Sequence, residues 1–192
     1  MGLVHLYAHF YAHFYAHLHA LCLVPSPIPT MTLPTDYAPF LNPPTLEVLC
    51  DLSVQVGSPI SVGQTRQGLR RIIPILGGQV SGLIEGTILP GGADYQLLVD
   101  DARVGHLDAR YVIETHRQET IFVQNKALRV MSSENSQKMM RGEVVNPQAI
   151  YFRSQVQFET ACPALQWLQD FQFIGCGVRL PESVHLRFFK VV

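Results

Sequence analysis

The amino-acid sequence predicts an all-β protein: an antiparallel meander closed into a small β-barrel of about eight strands, with one short helix. Three observations predict it. From Thr45 onward, apolar residues recur at every second position in one segment after another, which is the period of a half-buried strand. The segments are short and are joined by turn chemistry, as in Pro90-Gly91-Gly92, Val99-Asp100-Asp101-Ala102-Arg103 and Leu180-Pro181-Glu182-Ser183. Between Gly77 and Tyr95 glycines also sit inside the alternation itself. Glycine weakens a strand and marks a bulge, a bend or a close backbone approach. Several glycines in two consecutive strands point to a sheet that curls into a barrel.

The elements follow in chain order. In Thr45 to Val56, Leu46, Val48, Cys50, Leu52, Val54 and Val56 form one face, and Thr45, Glu47, Asp51, Ser53 and Gln55 the other. Segments Gln79 to Leu89 and Asp94 to Val99 flank the Pro90-Gly91-Gly92 turn. Strands are then expected at His106 to Thr115, Glu119 to Lys126, Tyr151 to Thr160, Gln172 to Val178 and Val184 to Val191. Pro163 opens a short helix over Ala164 to Phe171. Residues 132–146 show no clear period and are expected to form a long mobile loop.

The first charged residue is Asp36. Before it, Tyr-Ala-His-Phe occurs twice and Tyr-Ala-His-Leu once, so that His5, His9, His13 and His17 recur every four residues. On a helix that spacing would align imidazoles for a transition metal. A tandem four-residue repeat is nevertheless low-complexity sequence, and no metal is expected. The head has no Lys or Arg for a signal-peptide n-region, and its histidines argue against a membrane span. Met31, after the Pro25-Ser26-Pro27-Ile28-Pro29 break, is where the working polypeptide is expected to begin. The expected organisation is a poorly ordered head and Pro-rich lead-in over 1–44, then one barrel domain over 45–192.

Composition removes several function classes. Net charge is −1 and no dense Lys/Arg patch exists, so nucleic acid is not an expected partner. The four cysteines form no C-x-x-C and no zinc-like spacing. Free thiols suit a reducing compartment, and the expected location is cytoplasmic. No P-loop, dinucleotide fingerprint, G-x-S-x-G elbow or H-E-x-x-H occurs, so no cofactor is expected. The expected partner is a small molecule, with a homodimer as a further expectation.

An ordered series of motifs carries a family resemblance. These are the run from Gly63 to Gly78 with its core G-L-R-R-I-I-P-I-L-G-G, L-P-G-G-A-D-Y (Leu89 to Tyr95) and L-D-A-R-Y (Leu107 to Tyr111). Y-F-R (Tyr151 to Arg153), F-E-T (Phe158 to Thr160), W-L (Trp167, Leu168) and F-I-G-C-G (Phe173 to Gly177) follow. Over Leu46 to Val192 the chain resembles the bacterial and fungal family called domain of unknown function 3237. The resemblance implies a compact β-barrel whose role is mostly unassigned, with fungal relatives that look like accessory enzymes of small-molecule metabolism. The chain departs from the pattern in three places. Thr115-His116-Arg117-Gln118-Glu119 replaces a Thr-Asp-Asp-Gly-like turn, Tyr95 stands where tryptophan is common, and Gln169 stands where asparagine often follows W-L.

Candidate site residues come from the faces of the strands. His106, Asp108, Arg110, Val112 and Glu114 share one face, and Tyr151, Arg153, Gln155, Gln157 and Glu159 share another. Either these polar faces are solvated, which is the rule for antiparallel sheets, or they line a polar lumen. On the second reading Asp94, Glu159 and Asp108 are the catalytic candidates. Arg110, Arg153, Tyr95, Trp167 and Glu114 are then the ligand-binding ones. Asp94, just after a glycine turn, is the sharpest of these; its alternative is a turn cap. Trp167 also reads as a barrel plug, and His116 and His185 as proton shuttles or solvated side chains. The expected function is a cofactor-independent isomerase, cyclase or dehydratase working by proton transfer, in secondary metabolism. The alternative is a non-catalytic barrel that binds a small hydrophobic ligand.

Overall fold

A computed structural model describes residues 41–192, so the histidine repeat, Met31 and most of the lead-in lie outside the described residues. Ten strands follow, β1 Leu46–Val56, β2 Ile60–Thr65, β3 Gly68–Gly82, β4 Gly86–Ile88, β5 Ala93–Val99, β6 Val104–Thr115, β7 Thr120–Val130, β8 Tyr151–Thr160, β9 Phe173–Arg179 and β10 Ser183–Val191. All pairings are antiparallel, and eight strands close a ring in the order β1-β10-β9-β8-β7-β6-β5-β3. β3 then pairs with β1 and seals the barrel. β2 and β4 are extra strands laid against the long β3. The expected fold class is therefore the observed one.

Period-two patterning decides the interior. β7 and β8 show it most clearly: Ile121, Val123 and Asn125, and Phe152, Ser154, Val156 and Phe158, are buried, while the residues between them are not. The core gathers Leu52, Val54, Ile75, Ile113, Phe158, Phe173 and Phe188. Phe188 is fully buried and meets Phe158 in an edge-to-face contact with centroids 6.1 Å apart. Phe188→Ala is expected to cost about 3–5 kcal/mol, measurable as a lowered urea midpoint at unchanged slope.

The barrel has two unlike ends. Between β8 and β9, Pro163–Gln169 forms a 3-10 helix that sends Leu168, 1% exposed, into the core. Trp167 packs beside Phe173 at 6.3 Å and completes this plug. The opposite end carries the β5–β6 and β9–β10 turns and the segment between β7 and β8.

Four expectations need correction. Residues 132–146 hold a helix, α1 Ser133–Met140, N-capped by Ser132 and stapled by Lys138–Glu134 at 2.7 Å. Ser136, a buried residue of α1, donates to the Ala102 carbonyl oxygen at 2.8 Å. The capping and this tertiary anchor supply what the weak period does not. β2 and the first half of β3 were not foreseen, and the expected strand Gln79 to Leu89 is broken at 83–85. In β1 a register shift between Val48 and Cys50 turns Leu49 inward and leaves Leu46 and Val48 exposed; a bulge exchanges faces in this way. Finally, of the two readings of the polar faces of β6 and β8, the solvated one holds: they point outward, because the apolar residues between them fill the core. This corrects the placing of Glu159, Asp108, Arg110, Arg153 and Glu114 in a lumen.

Candidate functional site

The charged and amide groups that enter the barrel come from four strands. In β5, Asp94, Gln96 and Leu98 alternate inward from the Pro90-Gly91-Gly92 turn, with Gln96 and Leu98 buried. β3 contributes Arg71 on the face of Ile73 and Ile75. β7 contributes Asn125 and Arg129, 4% and 3% exposed. β9 ends on Arg179.

Register brings them together. Asp94 stands opposite Ala109, and Ala109 opposite Asn125, so one methyl group separates the carboxylate and amide positions along a row. One step toward the unplugged end, Arg71 is opposite Gln96. A further step on, Arg129 is opposite Gly105, where an added Cβ would stand 3.5 Å from Arg129 Nη2. A relay fixes the amide of Gln96. Arg71 Nε donates to its Oε1 at 2.8 Å, and its Nε2 donates to Asp94 Oδ2. Arg179 donates from Nη1 to Ser183 O and from Nη2 to Pro181 O, each at 3.1 Å.

Beneath these groups lies a cavity of about 50 Å³ lined by Asp94, Asn125, Tyr111 and Arg179 on apolar walls that include Ile73, Leu107, Phe152 and Leu186. Asp94 Oδ1, Asn125 Oδ1 and Tyr111 OH are all buried there without a protein hydrogen-bond partner. Buried polar atoms are otherwise almost always satisfied, so three of them around one small space mark the site.

The electrostatics are unusual. Burial pushes the Asp94 carboxyl above the ordinary carboxylate value, against the opposing pull of Gln96, Arg129, the Asp108 backbone amide and Arg71. Burial lowers Arg129 to about 10, helped by Arg71 and Arg179 and resisted by Asp94. Arg71 and Arg179 are lowered too, first by burial. Tyr111 is raised by burial and by Cys50, so it stays a neutral hydroxyl. The site thus holds a carboxyl whose proton affinity burial raises, beside guanidinium groups that remain charged at neutral pH.

Of the residues expected from sequence, Asp94 enters the lumen. Its side chain contacts Gln96 in the wall; the hydrogen bonds of a turn cap are not what holds it. Glu159 is exposed on the outer wall of β8, which removes it from the interior. Asp108 and Arg110 also face outward and pair with each other at 3.0 Å, with Gln124 Nε2 donating to Asp108 at 3.0 Å. Tyr95, 45% exposed, joins Asp108 and Arg110 along an outer groove of about 560 Å³ beside Gly91, Gly92 and Phe122. Arg153 points outward, over the Tyr151 ring at 5.5 Å. Glu114 is half-buried on the outer face of β6. Trp167 belongs to the plug, and His116 and His185 are exposed. For those on strands the physical reason is common: each alternates with a residue the core requires, so its own side faces water, whereas Trp167 lies on the 3-10 plug and His116 in the β6–β7 turn.

Arg71, Gln96, Asn125, Arg129 and Arg179 were not singled out. A signal existed in Arg71-x-Ile73-x-Ile75, where an arginine shares a face with aliphatic residues.

Comparison with known proteins agrees with this architecture. A UPF0311 protein of Rhodopseudomonas palustris is 38% identical over 152 residues, covering 78% of this chain and 99% of that protein. The crystal structure of a conserved protein of unknown function from the same species superposes with a TM-score of 0.71 at 38% identity, covering 78% of this chain and 99% of that one. A β-barrel-like protein of Acinetobacter baumannii gives a TM-score of 0.68 at 34% identity over 78% and 97% of the two chains. An enzyme from Penicillium herquei shares the fold at a TM-score of 0.58 and 19% identity, over 78% and 96%. The family model described as Protein of unknown function (DUF3237) matches residues 44–191, and the chain belongs to that family.

Proposed function

We propose that the barrel is a cofactor-independent enzyme that moves a proton on a small molecule held in the lumen, with Asp94 as the acid–base group. The observation that carries this reading is the convergence of Asp94 Oδ1, Asn125 Oδ1 and Tyr111 OH, all buried and unbonded, on one cavity. A base needs an accessible lone pair and a proton affinity near the working pH. Asp94 keeps one oxygen unengaged while Gln96 holds the other, and its burial raises that affinity.

In the simplest step the Asp94 carboxylate takes a proton from a carbon beside a carbonyl. The C–H bond breaks, an O–H bond forms, and the electron pair passes to the carbonyl oxygen. Returning the proton to a different carbon completes an isomerisation. The arginine cluster favours the negative charge that builds up on that oxygen, in a wall that excludes bulk water. Cyclisation or dehydration would start from the same proton removal. The fold is one on which Penicillium herquei builds an enzyme, and a role in cytoplasmic secondary metabolism belongs to this reading.

The test needs no prior substrate. The protein is incubated in deuterium oxide with a panel of small enolisable compounds, and deuterium uptake is followed by NMR. Uptake on at least one compound, slowed by about 10²–10⁴ in Asp94→Asn, is the expected result. Binding of panel compounds without any exchange would replace this reading with the non-catalytic carrier.

A further inference from the structure

We propose that the ligand of this lumen is a small organic carboxylate, its anionic group held by the guanidinium groups of Arg71, Arg129 and Arg179 and its short hydrocarbon part lying in the cavity. The proposal concerns the same lumen as the reading above and names the chemical class that enters it.

Charge is the first reason. Among the described residues, Asp94 is the one carboxylate that acts on these three arginines. Two positive charges are therefore left over when Asp94 is ionised, and three when it is protonated. Arg129 is only 3% exposed. A buried charge ordinarily has an opposite charge and a full set of hydrogen bonds beside it. Here the charges acting on Arg129 include two of its own sign. An incoming anion would offset that repulsion.

Donor geometry is the second reason. A guanidinium offers five N–H groups in a planar fork. Arg71 spends Nε on Gln96, and Arg179 spends one N–H from each Nη on the β9–β10 turn. Arg129 Nε is buried with no partner, and its Nη2 lies over Gly105, which has no side chain to obstruct it. These unspent donors come from strands that meet at the unplugged end, and Arg179 itself lines the cavity. A planar two-oxygen acceptor is what such forks match.

Size and lining choose among anions. A cavity of about 50 Å³ is far below the ~300–1,000 Å³ of drug-sized ligand sites, so only a molecule of a few heavy atoms, or the head of a longer one, fits. Its walls are mostly apolar, Ile73, Ile75, Leu107, Phe152, Val184 and Leu186, and Asp94 among its polar groups would repel the outer oxygens of an inorganic phosphate. They do suit the methyl or ethyl part of a short acid.

Isothermal calorimetry on the full chain tests this with propionate, its neutral isostere propionamide, and inorganic phosphate. Propionate is expected to bind at least about tenfold more tightly than either of the others, a difference of roughly one decade in Kd. Arg179→Gln, at a half-buried strand end, and Arg129→Met are each expected to weaken propionate about tenfold or more while circular dichroism stays unchanged. Asp94→Asn is expected to keep or improve propionate binding, since it removes the competing negative charge. Equal affinity for acid and amide, phosphate binding as tight as propionate, or undiminished propionate binding in both folded arginine variants would overturn the proposal. So would the absence of propionate binding up to about 100 mM. The two readings fail separately. Propionate binding without deuterium exchange on any compound removes the enzyme and keeps the carboxylate site. Exchange on neutral compounds alone, without propionate binding, does the reverse.

Discussion

Asp94→Asn is expected to lose proton transfer and at the same time to melt higher than the parent protein at neutral pH. The loss follows from removing the base. The gain follows from linkage. Burial raises the Asp94 carboxyl in the native state above its value in the unfolded chain, where an aspartate titrates near about 3.9. Between those two values the native state still holds a proton that the unfolded chain has released. Stability therefore falls as pH rises through that window, and the deficit persists above it. Asparagine has no proton to release and keeps nearly the same shape, so it escapes the deficit. Arg71, Arg129 and Arg179 remain charged throughout, since even Arg129 titrates at about 10. Thermal melts of both proteins from acid to neutral pH should give curves that run together near pH 3 and separate as pH rises. A difference that closes with rising pH, or an asparagine variant less stable at pH 7, would mean that Asp94 is an ordinary ion-paired or capping carboxylate. Activity and stability moving in opposite directions is the mark of a group retained for function.

Gly78→Ala is expected to prevent the barrel from closing properly, at a cost of about 2–5 kcal/mol. Gly78 lies on the β1–β3 seam, paired with Val54, and its φ is +156°. An added Cβ would run into the Ser53 carbonyl oxygen and reach Val54 Cα at 3.1 Å and Ile88 Cδ1 at 3.0 Å. Two of these are backbone atoms of the seam, so a rotamer change cannot relieve the contact. Gly91→Ala supplies the comparison, because its φ is +106° but nothing stands within 4 Å of the added atom. It should carry the conformational cost alone, about 1–3 kcal/mol. Urea unfolding of the two variants separates strain from close approach, and equal losses would show that the seam has room to spare.

These two residues also show how much the sequence disclosed. Both lie in the stretch from Gly77 to Tyr95, whose glycines inside an alternating pattern announced a curled sheet and whose Asp94 stood out at a strand mouth. Most strand positions were legible as well, because a two-residue period needs only neighbouring residues to be recognised. β2 and the start of β3 were harder to see. Their run of Gly63, Arg70, Arg71 and Pro74 hides the period, and several of their apolar side chains, such as Ile60 and Val62, face solvent. α1 escaped notice for a related reason: its helix is set by the Ser132 cap and the Ser136 anchor rather than by an apolar stripe.

The local pattern by itself determined that this chain is an all-β barrel with a carboxylate presented after a glycine turn. It also determined that β6 and β8 each have one polar and one apolar face. Only closure of the sheet decided which polar groups share the interior. Arg71, Asp94, Asn125, Arg129 and Arg179 are spread over more than one hundred positions, and on each strand only one or two polar residues interrupt an otherwise apolar face. The β5–β6–β7 and β3–β5 registers, with β9 brought round by closure, set them side by side. Alternation is a property of neighbours along the chain, whereas a charged cluster is a property of strands meeting across it.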